Sequence, residues 1–223
     1  MTITADSLPG TANPAARSAS RLALAGGVTS FLSLGALHVL RPDLDPSWHV
    51  ISEYAVGPFA WVMALCFASL AVACAALFVA LLGNARTVGG RIGLGALLFA
   101  ALGLAMASLF PIDAITNPPG PVTLSGQLHG VSAMIGNPGL ITAALCLAYA
   151  LRRNPLWAPV RTPMLAFAHL TWIAFALMAG AMIALISSGS TDGLGGLVGW
   201  ANRLLMLGYF GWVVSTAWPL ARR

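Results

Sequence analysis

The chain has 223 residues, of which 58% are hydrophobic and 8% charged. A typical soluble domain carries about 25% charged residues, so this composition excludes a water-soluble globular fold. The formal charge is +5, but its placement follows the layout of a membrane protein and does not point to nucleic acid as a partner.

The first twenty residues are rich in Ser, Ala, Pro and Thr and show no apolar periodicity. They read as a disordered cytoplasmic tail. Six apolar runs follow, at about 22–40, 59–82, 92–109, 128–151, 164–187 and 197–220. Each approaches the roughly 20 residues that a helix needs to cross bilayer hydrocarbon. The expectation is an all-α fold: an integral membrane six-helix bundle over 21–223, with no separate soluble domain. Arg17 and Arg21 before the first run resemble the start of a secretory signal. That run is longer than a signal's apolar region and no small-residue cleavage site follows, so it reads as a retained helix.

All the basic residues are Arg. Arg17, Arg21, Arg86, Arg91, Arg152, Arg153, Arg161, Arg222 and Arg223 fall in the tail, the C-terminus and alternate links, whereas the other links hold Arg41 and Arg203. Asp43, Asp45, Glu53, Asp113 and Asp192 share that second side. The positive-inside rule then places both termini in the cytoplasm. The expected location is a cytoplasmic (inner) membrane, with anionic lipid headgroups as partners of the inner arginines.

Within the spans, Gly89/Gly93, Gly126/Gly130, Ala176/Gly180/Ala184 and Gly195/Gly199/Gly211 form small-residue stripes. In lipid such stripes predict close helix–helix packing, within the chain or with other membrane proteins. Trp61, Trp157, Trp172, Trp200, Trp212 and Trp218 lie mostly near span ends, where interfacial Trp is common. Pro138 inside the fourth span predicts a kink beside Asn137, which could line a cavity. Cys66, Cys74 and Cys146 lie inside spans without a CxxC pair and read as packing residues.

Polar chemistry gathers in the acidic links. His38 ends the first span, Ser52 and Glu53 lie in the first acidic link, Asp113 follows the third span, His129 opens the fourth, and Arg203 lies near the start of the sixth. In one bundle these ends share a face, so Ser52, Glu53, Asp113, His129, Arg203 and His38 form the candidate site. Arg203 is the sharpest signal, because a cation near hydrocarbon costs several kcal/mol unless it is paired or reaches the headgroups. Asp113 and Glu53 are its expected partners; a bound carboxylate or phosphate is the alternative. His129, His38, Glu53 and Asp113 have the chemistry of metal ligands, and His38 with His129 that of a haem pair. No HxxxH, HExxH or CxxC spacing supports a metal, and a helix-end His bonded to a carboxylate is the simpler reading. His49 reads as a loop residue and His169 as structural. No cofactor is assigned.

The stretches Ile51-Ser-Glu-Tyr-Ala-Val-Gly-Pro58, Phe110-Pro-Ile-Asp113 and Gly126-x-x-His129 resemble the DUF998 family of multi-pass bacterial and archaeal membrane proteins. The resemblance covers nearly the whole chain after the tail. It implies Ser52, Glu53, Asp113 and His129 as matching positions and supplies no activity. A remoter likeness is to membrane-embedded metal hydrolases that act on lipids, whose multi-His pattern is missing here.

Three functions follow as expectations. The residues favour binding or handling a lipid or small amphiphile at an outward-facing polar site. An intramembrane hydrolase that uses the acid/His cluster, with or without a metal, is the second. A structural partner of other membrane proteins is the third.

Overall fold

A computed structural model describes residues 14–114 and 120–223. Six long helices account for most of them: α1 (Pro14–Leu40), α2 (Ala60–Leu81), α3 (Val88–Leu109), α4 (Leu124–Leu151), α5 (Arg161–Ser188) and α6 (Val198–Ala221). Short 3₁₀ segments at Ile51–Ala55, Pro155–Val160 and Gly193–Leu197 join them. Among the described residues there is no strand. All six long helices are long and apolar enough to cross a membrane. The fold is that of a multi-pass membrane protein.

Several helices begin earlier than their apolar runs, for local reasons. The Thr87 and Thr123 side chains accept hydrogen bonds from Gly90 N and Gly126 N, each at 3.1 Å. Each Thr thereby satisfies an amide that the first helical turn leaves open, so α3 and α4 start at 88 and 124 and not at 92 and 128. The tail is helical from Pro14. This corrects the expectation of disorder through residue 20, while residues 1–13 lie outside the described ones. The correction has a packing cause: Ser20 and Ala23 are fully buried, and Arg21 Nε donates to Ala221 O at 3.3 Å. That bond ties the start of α1 to the end of α6, so the first helix begins and the last helix ends on the same side of the bundle.

Consecutive helices pack side by side, and α1 closes the ring against α6. α6 also touches α2 and α4 and is the most enclosed helix, while α5 is the least. The closest seam is α3 against α4. A Cβ on Gly103 would stand 2.5 Å from Gly136 Cα, and one on Gly139 would stand 2.9 Å from Ala100 N. Glycine is what lets these backbones approach.

Some small residues do other work than expected. Gly93 packs on Leu147 and Gly211 on the Phe167 ring, but Gly89, Gly130 and Gly180 face open space. The Ala176/Gly180 stripe therefore points away from this bundle. Trp157 and Trp212 are fully buried, which corrects their interfacial assignment; Trp157 Nε1 donates to Thr216 O at 3.0 Å. α4 runs through Pro138 as one helix.

Candidate functional site

The 3₁₀ segment Ile51–Ala55 organises the acidic end of the bundle. Its tight turn points successive residues in different directions, and four in a row find distant or local anchors. Ile51 N donates to Asn202 Oδ1 on α6 at 2.9 Å. Ser52 Oγ lies 3.0 Å from His129 Nε2 on α4. Glu53 accepts from Val50 N at 2.8 Å and pairs with His49 Nδ1 at 2.6 Å. The Tyr54 hydroxyl accepts from Arg203 at 3.1 Å.

The approach to this segment is fixed by Arg41. Its guanidinium holds both Asp43 oxygens, at 2.7–3.1 Å, and donates to Val56 O at 2.7 Å. The hydrogen bond to Asp43 raises the Arg41 pKa and lowers that of Asp43. Arg41 NH1 also lies 3.3 Å from Pro58 O, beside Gly57 (φ 82°) and Phe59 (φ 61°). Phe59 adopts a backbone region that non-glycine residues rarely enter, and Arg41 holds the carbonyls on either side of Gly57.

Arg203 projects from α6 toward α1. Its Nε donates to His38 Nε2 at 2.7 Å, NH1 to His49 O at 2.7 Å and to Gly199 O at 3.1 Å, and NH2 to Tyr54. His38 Nδ1 lies 2.7 Å from Leu34 O. A carbonyl can only accept, so Nδ1 carries the proton, and Nε2 offers its lone pair to the guanidinium. His38 is thus a neutral acceptor. The expected pairing of Arg203 with Asp113 or Glu53 is corrected: among the described residues the ion pairs are Arg41–Asp43 and His49–Glu53. Glu53 is drawn to His49, four residues away. Asp113 turns to its own link, accepting from Thr123 Oγ1 at 2.5 Å and Thr123 N at 3.0 Å. Those two bonds, the side-chain one foremost, hold the Asp113 carboxyl below the usual carboxylate range.

His129 is buried. Its Nδ1 lies 2.8 Å from Phe110 O, so that nitrogen is the donor and Nε2 the acceptor from Ser52.

The six expected residues therefore divide. Arg203 and His38 meet directly, Ser52 and His129 meet directly, Glu53 joins the first pair through His49, and Asp113 stands apart as a loop cap. Among the described residues no three His, Cys, Asp or Glu side chains come together to hold a metal ion. Both ring nitrogens of His38 and of His129 are already hydrogen-bonded, which suits neither the metal nor the haem-pair reading.

The candidate set omits His49, read as a loop residue, Tyr54, and Asn202, which the sequence places beside Arg203 near the outer end of the sixth span. Tyr54 stood within the quoted stretch, but only the 3₁₀ geometry shows which way it points. Asn202 was visible as a polar residue beside Arg203 on a buried helix.

Below Arg203 two adjoining recesses make an apolar groove on the outside of α1 and α6, with α5 bordering only its lower part. Its upper part, about 240 Å³, is lined by Gly35, His38, Trp200 and Arg203. Its lower part, about 500 Å³, is lined by Gly27, Phe167, Val214 and Trp218. Phe31, Leu207 and Phe210 border both parts. About 16 Å of helix separates Arg203 from Val214 at 1.5 Å per residue, close to half the roughly 30 Å hydrocarbon thickness.

No curated protein and no solved structure matches the chain. The family model described as "Protein of unknown function (DUF998)" matches residues 24–219. With six membrane-spanning helices and nearly its whole length matched, the chain belongs to the DUF998 family.

Proposed function

We propose that this protein binds an anionic amphiphile, with its head at Arg203 and its chain in the groove along α1, α5 and α6. One observation carries the reading: Arg203 is a half-buried cation on a membrane helix with no carboxylate within 4 Å among the described residues, and Asp45 acts on it only at longer range. Its anchors are a neutral His, a Tyr and two carbonyls. They orient the guanidinium without neutralising it. A phosphate or carboxylate supplies the missing charge through a charge-assisted hydrogen bond. Of the five guanidinium N–H groups, four make these bonds and one NH2 hydrogen is left for a ligand. The groove gives the ligand's chain a bed about one leaflet deep.

The location belongs to the same proposal. The Arg-rich end of the bundle, with both termini, faces the cytoplasm of a bacterial inner membrane, and Arg203 addresses the outer leaflet. A C-terminal fluorescent-protein fusion is then bright and a C-terminal alkaline phosphatase fusion inactive; the reverse pattern overturns the orientation.

Binding is tested by thermal unfolding in an uncharged detergent. Short-chain phosphatidylglycerol raises the Tm of the wild type by mass action, whereas phosphatidylcholine and inorganic phosphate do not. Gly35 lines the groove beside Arg203, and a Cβ there meets nothing within 4 Å, so Gly35→Leu fills the groove and leaves the core intact. This variant unfolds normally and loses the phosphatidylglycerol shift. Equal shifts with both lipids, or an undiminished shift in Gly35→Leu, overturn the assignment.

A further inference from the structure

A second polar site lies under the Ile51–Ala55 segment and shares no lining residue with the groove. It is a cavity of about 60 Å³ between α2, α3, α4 and α6. Ser52, His129, Asn137 and Asn202 line it, with Phe67 and Leu104 among its apolar walls.

The geometry points to a serine nucleophile. Ser52 Oγ and His129 Nε2 are 3.0 Å apart, within the reach expected of a nucleophile and its base. The Phe110 carbonyl fixes the His129 tautomer by taking the Nδ1 proton in a 2.8 Å bond. Only that tautomer leaves Nε2 free to accept from serine. The carbonyl stands where a carboxylate stands in a Ser-His-Asp triad. Asn202 supplies the remaining element. Its Oδ1 is engaged by Ile51 N at 2.9 Å, which leaves its NH2 as a donor on the cavity that Ser52 borders.

We propose that Ser52 and His129 form a catalytic pair that cleaves an acetyl-sized carboxylic ester, with Asn202 donating to the carbonyl oxygen. Size selects the acyl group. The cavity, at about 60 Å³, is far below the roughly 300–1,000 Å³ of a site for a larger ligand, so it suits a short acyl group and not a fatty chain. In the first half-reaction the Ser52 hydroxyl proton passes to His129 Nε2 as Oγ bonds to the carbonyl carbon. The tetrahedral intermediate then expels the alcohol, which takes the proton from His129. In the second half-reaction water gives a proton to His129 and adds to the acetyl carbon. The bond from the acetyl carbon to Ser52 Oγ then breaks, Oγ takes the proton back from His129, and acetic acid leaves and ionises in water. Water is the only co-reactant.

The purified full chain in detergent, with p-nitrophenyl acetate as probe, tests this. The wild type releases nitrophenol above background and carries one acetyl group on Ser52 when quenched early. It cleaves the acetate at least 10-fold faster than p-nitrophenyl octanoate. Ser52→Ala abolishes both turnover and acetylation, and His129→Gln lowers kcat at least 100-fold. Asn202→Asp retains an acceptor for Ile51 N but loses the donor, and lowers kcat by about 100-fold or more. A wild type that unfolds cooperatively yet shows neither turnover nor a Ser52 acetyl group overturns the proposal. So does a Ser52→Ala variant that keeps the wild-type rate.

Discussion

Gly103 and Gly136 face each other across the α3–α4 seam, yet the structure treats them differently. A Cβ on Gly103 would lie 2.5 Å from Gly136 Cα and 2.7 Å from both Gly136 N and Ser132 O, all backbone atoms that cannot rotate away. A Cβ on Gly136 would have its nearest neighbour, Gly103 Cα, at 3.4 Å. Ordinary carbon contacts settle near 3.5–4.0 Å, so Gly103→Ala forces the helices about 1 Å apart and Gly136→Ala forces almost nothing. Overpacking of this kind costs about 1–3 kcal/mol, offset by up to about 1 kcal/mol from the better helix propensity of Ala. Because all three contacts are with backbone, the cost lies in the upper part of that range, about 2–3 kcal/mol, and the net loss for Gly103→Ala is about 1–2 kcal/mol. At roughly 2–4 °C per kcal/mol for a chain of this size, Tm falls by about 2–8 °C. Gly136→Ala stays within about 2 °C of the wild type or exceeds it. Scanning calorimetry in one detergent reads both variants. Equal Tm values, or a larger drop for Gly136→Ala, would refute the seam geometry.

Two other contacts give independent tests. Asp113 has a lowered pKa in the folded protein, so its cap on Thr123 is fully present above the ordinary carboxylate value near 3.8. The cap weakens as pH falls from that value through the folded one. Amide exchange at Thr123 and Gly126 therefore speeds up in Asp113→Asn at neutral pH and changes little in Asn202→Asp; unchanged exchange in Asp113→Asn removes the cap. Arg41→Met frees the Val56 carbonyl and the Asp43 carboxylate, so the Val56 and Ala60 amides, bonded to Glu53 O and Gly57 O, lose protection while those at the far end of α2 keep theirs. Uniform exchange along α2 would contradict a local role for Arg41.

Much of the architecture was legible because lipid imposes a simple rule: every crossing must be a long apolar helix. The six runs met that rule; of the polar residues in the acidic links, Ser52 meets His129 and His38 meets Arg203, while Asp113 stays with Thr123. Helix starts were misplaced where a single Thr sets them, since hydropathy does not register a cap. The partners of Arg203 were misread for a related reason. Opposite charge suggested Asp113 and Glu53, but both acids found nearer donors at Thr123 and His49. That left the guanidinium to His38, Tyr54 and backbone carbonyls. The Ser52–His129 contact joins residues 77 apart in sequence and depends on a 3₁₀ turn that no periodicity announces.

The unneutralised guanidinium of Arg203 above a lipid-sized groove is tested most directly by native mass spectrometry of protein gently extracted from its own membrane. The wild type is expected to carry one anionic lipid or other anionic amphiphile, and Gly35→Leu is expected to carry none. Wild-type protein that emerges bare, or bound equally to zwitterionic lipids, would contradict it.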